Sequence, residues 1–269
     1  MNSSRIKDIV KQWYAKLHFE EKFDIEFNKL VEETPPSEYT DTEHYNLNSE
    51  DGGKNLLYAL YMCEGLSHKY EEMHISEEIL LDTLSDIVVW CKEWSRIKGR
   101  LFLGELSWLA HHLTGRLFML GRLQFNFDRS KENIAELNLK EGDPLIGVHI
   151  QAGSKLEIEE CKRSFEMARE FFAKYFPEYQ YEYFVCHSWL LDDTLKEILP
   201  ASSNIIRFGD MFTKTSAIEH DIIVRYVFGW DAKVSQVQNL PCNTALAKNV
   251  RRYIEEGKSF HITTGYIKR

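Results

Sequence analysis

The hydrophobic period of this chain changes near residue 115, and no single type of element accommodates both patterns. Before that point, apolar residues recur every three or four positions, the spacing of one helix face. Ile6, Ile9, Val10, Trp13, Tyr14 and Leu17, continued by Phe23, Phe27 and Leu30, predict one or two helices over residues 3–32. Pro35-Pro36 ends that run, because proline lacks the donor a helix interior needs. The polar stretch 34–53, closing on Asp51-Gly52-Gly53, reads as a loop. Leu56, Leu57, Leu60, Tyr61 and Leu66 resume the helical spacing. Ser76 is placed to cap a helix carrying Ile79, Leu80, Leu84, Ile87, Val88, Cys91 and Trp94. A last helix runs from Glu105 to Thr114 and ends near Gly115. From 116 to 128 the spacing becomes two: Leu117, Met119, Leu123, Phe125 and Phe127 alternate with Phe118, Leu120, Arg122, Gln124 and Asn126. That is a strand, with Gly121 at a bulge or close approach. A helical bundle over 1–115 and a second domain over 116–269 follow.

The second half adds punctuated short elements. Leu137 and Leu139 fit a short strand, Glu141-Gly142-Asp143-Pro144 a turn, and Leu145–Ile150 a further strand, so the early pairing should be antiparallel. Ile158, Cys161, Phe165, Ala168, Phe171 and Phe172 share one helix face, and Pro177 stops that helix. Tyr181–Cys186 reads as a strand, and Asp192 or Asp193 caps a short helix over 194–199. Asn204–Phe208 and Ile222–Phe228 read as strands, and residues 258–266 as small elements near an exposed end. The fold class is α/β of the α+β kind. Its sequence centre is Asp143 to Leu156, an apolar strand and a small-residue loop, followed by a helix. A helix start aims backbone N–H groups at such a loop, which suits an anion; Glu157, Glu159 and Glu160 in the first turn oppose one unless they face outward.

Composition removes several classes of function. Thirty-three basic against 42 acidic residues give a net charge of −9, which disfavours nucleic acid and anionic membrane as partners while permitting a local basic pocket. No apolar run is long enough to span a bilayer, and the first residues lack a signal-peptide core, so a cytoplasmic protein is expected. The five cysteines, an odd number with no Cys-x-x-Cys pair, fit a reducing compartment. No metal site is expected. Glu43, His44 and Asp51 are irregularly spaced, and the adjacent His111 and His112 point about 100° apart on a helix, one packed and one exposed.

Five segments carry a family resemblance: Leu120-Gly-Arg-Leu-Gln-Phe125, Gly147-Val-His-Ile150, Glu170-Phe-Phe-Ala-Lys-Tyr-Phe-Pro177, Cys186-His-Ser-Trp-Leu-Leu191 and Ser203-Asn-Ile-Ile-Arg-Phe208. From about Leu106 onward the chain resembles a bacterial acyltransferase family with a helical N-terminal domain and a GNAT-like C-terminal domain. The resemblance implies a mixed, mostly antiparallel sheet flanked by helices, holding acyl-coenzyme A between two splayed strands. Ile150, Gln151, Ala152, Gly153, Ser154 and Lys155 would form the wall that meets the cofactor's phosphates. This loop departs from the GNAT pattern Gln/Arg-x-x-Gly-x-Gly/Ala: it holds one glycine at a shorter spacing, and Gln151 stands where the family is expected to have proline.

Acyl transfer from a thioester requires a deprotonated acceptor, a stabilised oxyanion and a protonated leaving thiolate. His149, late on the strand before the loop, and His187, near the end of the next strand, are the candidate bases; Ser188 or Tyr183 is placed to supply the proton. Each histidine has a structural alternative as a hydrogen-bonded core residue. Cys186 is a candidate nucleophile; His187 would point to the opposite face of the strand, leaving His149 as its partner, and a buried inert thiol is the alternative. Arg122 and Gln124 are candidates for orienting a substrate carboxylate or amide, against a strand face bridged to the helical domain. The function expected is transfer from acyl-coenzyme A to an amine-type small molecule by direct attack, with the helical domain shaping the acceptor site. Acyl-carrier protein is a further candidate partner. A non-catalytic GNAT-like binding module and a Cys186-dependent acyl hydrolase or transferase are the rival expectations.

Overall fold

The structure, a computed structural model, describes residues 2–269. It divides between Leu120 and Gly121 into two compact units. In the first, α1 (Ser3–Lys16) starts where the Asn2 side chain accepts from the Arg5 N–H, and it buries Ile6, Ile9, Val10, Trp13 and Tyr14. Then come α2 (Asp24–Glu33), α3 (Gly52–Glu72) and α4 (Glu77–Lys98). Ser76 caps α4, and Gly99, at φ 67°, ends it. Gly52 and Gly53 open α3 behind the Asp51 cap instead of closing the loop; a Cβ at Gly52 would strike the Phe102 ring. α5 (Leu106–Leu113) and β1 (Leu117–Leu120) complete the unit. His112 is fully buried and its Nε2 lies 3.1 Å from Asp86 Oδ2, the oxygen that also accepts from Trp108 Nε1 at 3.0 Å; His111 is half-buried. Among the described residues no helix is long and apolar enough to cross a membrane.

The second unit contains β2 (Leu123–Arg129), β3 (Pro144–His149), α6 (Ile158–Tyr175), β4 (Tyr183–Ser188), α7 (Asn204–Gly209), β5 (Thr213–Glu219), α8 (Ile222–Phe228), α9 (Ala245–Glu255) and β6 (His261–Lys268). Its strands lie in the order β2-β3-β4-β6-β5. All neighbours are antiparallel except β3 and β4, which α6 joins as a parallel pair. The apolar face of α6 covers one side of this sheet. Phe165 meets Phe125 and Phe184 edge to face, at centroid distances of 5.7 and 5.1 Å, and Phe127 meets Phe172 at 5.4 Å. Each such ring, taken from water, contributes about 2–3 kcal/mol. A second core gathers Trp189, Leu195, Ile206, Ile223, Val224 and Val250 beneath α7, α8 and α9.

Several expected elements differ. The alternation over 116–128 is two strands, because Gly121 at φ 70° turns the chain instead of bulging it. Leu137 ends a short 3-10 turn, Ala135–Leu137, and only an isolated bridge, Ile134 to Leu139, survives of the expected strand. Asn204–Gly209 and Ile222–Phe228 are helices: Ser203 caps the first through the Ile205 N–H, and Ile206 of the first and Ile223 and Val224 of the second are buried in the second core. The last residues form β6, which lies between β4 and β5 and is not an exposed end.

Candidate functional site

The parallel pair opens partway along. Ile146 pairs with Phe184 and Gly147 with Val185, where the register ends; β3 continues to His149 and β4 to Ser188. The outer edges stay zipped beyond that point, His149 opposite Gln124 on β2 and His187 opposite Thr264 on β6. Two strands held by their outer neighbours but unpaired with each other make a cleft.

Strand alternation decides what faces it. Gly147 and Val185 share a side of the sheet, so His149 and His187, each two residues on, share it too. This is the side opposite α6. Asn126, in register with Gly147, lies across that glycine and brings its Oδ1 2.9 Å from His149 Nε2. A Cβ at residue 147 would occupy the space of that amide. The Asn126 Nδ2 donates to the Phe127 carbonyl at 3.0 Å, which fixes the amide's orientation and leaves His149 to donate from Nε2. His187 Nδ1 lies 2.8 Å from Thr264 Oγ1, and the residue keeps an exposed edge. Lost hydration lowers its pKa from the ordinary imidazole value, as does the Lys131 cation, while Asp128 and Glu132 pull the other way.

Cys186 is placed apart from both histidines. It points to the α6 side with Phe184, is buried, and its thiol is pushed up to about 12 by that burial. Neither the His187 nor the His149 pairing is formed. Ser188 accepts from the Leu190 N–H at 3.2 Å as the cap of a 3-10 turn, and Tyr183 packs against the small core of Leu145, Val185 and Tyr266. Gln124 is buried opposite His149.

The loop from Ile150 to Lys155 follows β3, with Ala152 to Lys155 exposed and Gly153 at φ 96°. Arg122 does not share the Gln124 face. From the turn at Gly121 its guanidinium reaches three loop carbonyls, those of Gln151 (3.1 Å), Ser154 (2.8 Å) and Lys155 (2.8 Å). Sequence spacing carried no signal for that reach, which spans about thirty residues of chain. In the acidic first turn of α6, Glu159 is neutralised by Lys162 at 2.9 Å, and Glu157 accepts from the uncharged Asn204 amide at 3.1 Å. Among the described residues no group of three metal-ligating side chains assembles.

Comparison with known proteins adds to this geometry. Residues 5–115 match an N-acyltransferase N-terminal domain, and residues 117–267 a GNAT-like C-terminal domain. No curated protein matches the chain. Among solved structures, it is similar to an acyltransferase in complex with decanoyl-CoA and teicoplanin: TM-score 0.80 at 22% identity, over 96% of this chain and 87% of that one. A mutant acyltransferase with octanoyl-CoA gives 0.79 at 22%, again over 96% and 87%. An acyltransferase with decanoyl-CoA gives 0.74 at 20%, over 100% of this chain and 99% of that one. The half-open parallel pair and the match over 117–267 agree, and the chain belongs to the family defined by the GNAT-like C-terminal domain.

Proposed function

We propose that this protein transfers an acyl group from acyl-coenzyme A to an amine on a small-molecule acceptor, by direct attack. The observation that carries this reading is the cleft between β3 and β4, which presents His149 and His187 on one face within a chain of this family. The amine nitrogen attacks the thioester carbonyl, one histidine takes the amine's proton, and the carbon–sulfur bond breaks to release the coenzyme A thiolate, which takes up a proton to leave as the thiol. Asp128 and Glu132, close enough to influence His187, would draw a cationic amine toward that face. The β3–α6 loop supplies backbone donors for the phosphates, and its exposed residues 152–155 leave them room. Coenzyme A thioesters are preferred to acyl-carrier protein as donor because similar structures hold decanoyl- and octanoyl-CoA. The division of the chain at 115/116 into a helical domain and a transferase domain, and a cytoplasmic location, belong to the same proposal.

The rival Cys186 route meets a thiol that burial holds protonated near neutral pH. The non-catalytic rival rests on the single loop glycine, Gly153. Titration calorimetry with acetyl-, octanoyl- and decanoyl-CoA tests the proposal, with thiol release followed in the presence of primary amines. Binding and amine-dependent release are expected, and His149→Gln and His187→Gln identify the base by loss of turnover. Folded protein that binds none of the three thioesters refutes the reading; binding with no release on any amine supports the non-catalytic module.

A further inference from the structure

Within the function proposed above, we infer that Arg122 is a positioning residue for the coenzyme A phosphates, substituting for the loop glycine this chain lacks. In a trans peptide the C=O of one residue and the N–H of the next point in opposite directions. The Arg122 guanidinium holds the carbonyls of Gln151, Ser154 and Lys155 toward itself, at 3.1, 2.8 and 2.8 Å. The N–H groups of Ala152, Lys155 and Leu156 are thereby turned away from the arginine, and the loop that carries them is exposed. A glycine-rich loop reaches such an arrangement through backbone freedom; here a fork of donors imposes it from behind.

The arginine is itself anchored. Its backbone N–H donates to Ser164 Oγ in α6 at 2.8 Å, and Ser164 passes the bond on to the Glu160 carbonyl at 2.9 Å. Gly121 permits this approach, since a Cβ there would lie 2.9 Å from the same hydroxyl. No carboxylate pairs with the guanidinium among the described residues, and its Nη1 is buried without a partner. An uncompensated cation therefore stands directly behind a loop whose outer donors are unspent on it, and a pyrophosphate would complete the charge.

The test compares wild type, Arg122→Lys and Arg122→Gln for binding of coenzyme A and of decanoyl-pantetheine, which has the acyl arm but no phosphate. Arg122→Gln is expected to weaken coenzyme A about tenfold or more and to change decanoyl-pantetheine less than about twofold. Arg122→Lys keeps the charge but loses the three-carbonyl fork, so it should also weaken coenzyme A selectively. Wild type that does not bind coenzyme A removes the functional reading. Wild type that binds, with Arg122→Gln binding equally well, removes this inference alone. Arg122→Lys indistinguishable from wild type shows charge without positioning and overturns it. Should Arg122→Gln fail to fold, the lysine variant decides.

Discussion

Gly147 has the least side chain on β3 and the most consequence for the face beside it. Its missing Cβ lets Asn126 lie across the strand to His149 Nε2 at 2.9 Å, and the Asn126–Phe127 bond settles which amide atom faces the ring. Gly147→Ala is expected to displace that amide and lower kcat about tenfold or more, with the circular dichroism spectrum retained; unchanged kcat would show that the Asn126 contact is idle. His187 offers a separate check. Its folded-state pKa is lowered from the ordinary imidazole value, chiefly by lost hydration, so the ring stays neutral at lower pH than a fully hydrated imidazole would. An NMR titration should place its midpoint below 6.5, and one at or above that value would contradict the environment described. The histidine positions were readable from strand spacing. Asn126 was not, because cross-strand register is not written in either strand alone.

Among the elements, α6 is plainly legible in the sequence and packs the centre of the sheet. Its apolar residues repeat at helical spacing, and Phe165 fills the centre between Phe125 and Phe184. Phe165→Ala should cost about 3–5 kcal/mol in denaturant unfolding, and a loss below about 1 kcal/mol would mean that this face is not the packed one. Residues 204–208 and 222–228 read as strands from sequence and fold as helices, because a short apolar run fits a buried strand or a buried helix equally well. The first was decided by the Ser203 cap, so Ser203→Ala should cost about 1 kcal/mol, measured as the shift of the urea midpoint at constant slope. β5 has no sequence signal for the opposite reason: it is an edge strand, mostly exposed, and carries no alternating apolar face.

At the scale of the whole chain, four buried thiols give a pH dependence. Burial raises Cys161 to about 11, Cys91 and Cys186 to about 12, and Cys63 further, from an ordinary value near 9. A group whose folded pKa is raised contributes stability fully present below its unfolded pKa and lost as pH rises through the folded one. The urea midpoint should therefore fall between pH 9 and pH 12, and less steeply in Cys186→Ala; equal slopes for the two proteins would exclude Cys186 as a contributor. Amphipathic stretches, the change of period from helix to strand, and the strand, small loop and helix at 143–176 are all legible in the order of the residues. Those are local properties, set by side-chain spacing along a few turns or pleats. The insertion of β6 between β4 and β5, the turning of Cys186 away from both histidines, and the reach of Arg122 to three loop carbonyls arise in the assembled fold. Each of these depends on pairing or reach between residues far apart in the chain, whose free energy comes from burial and hydrogen bonds made only once the sheet has assembled.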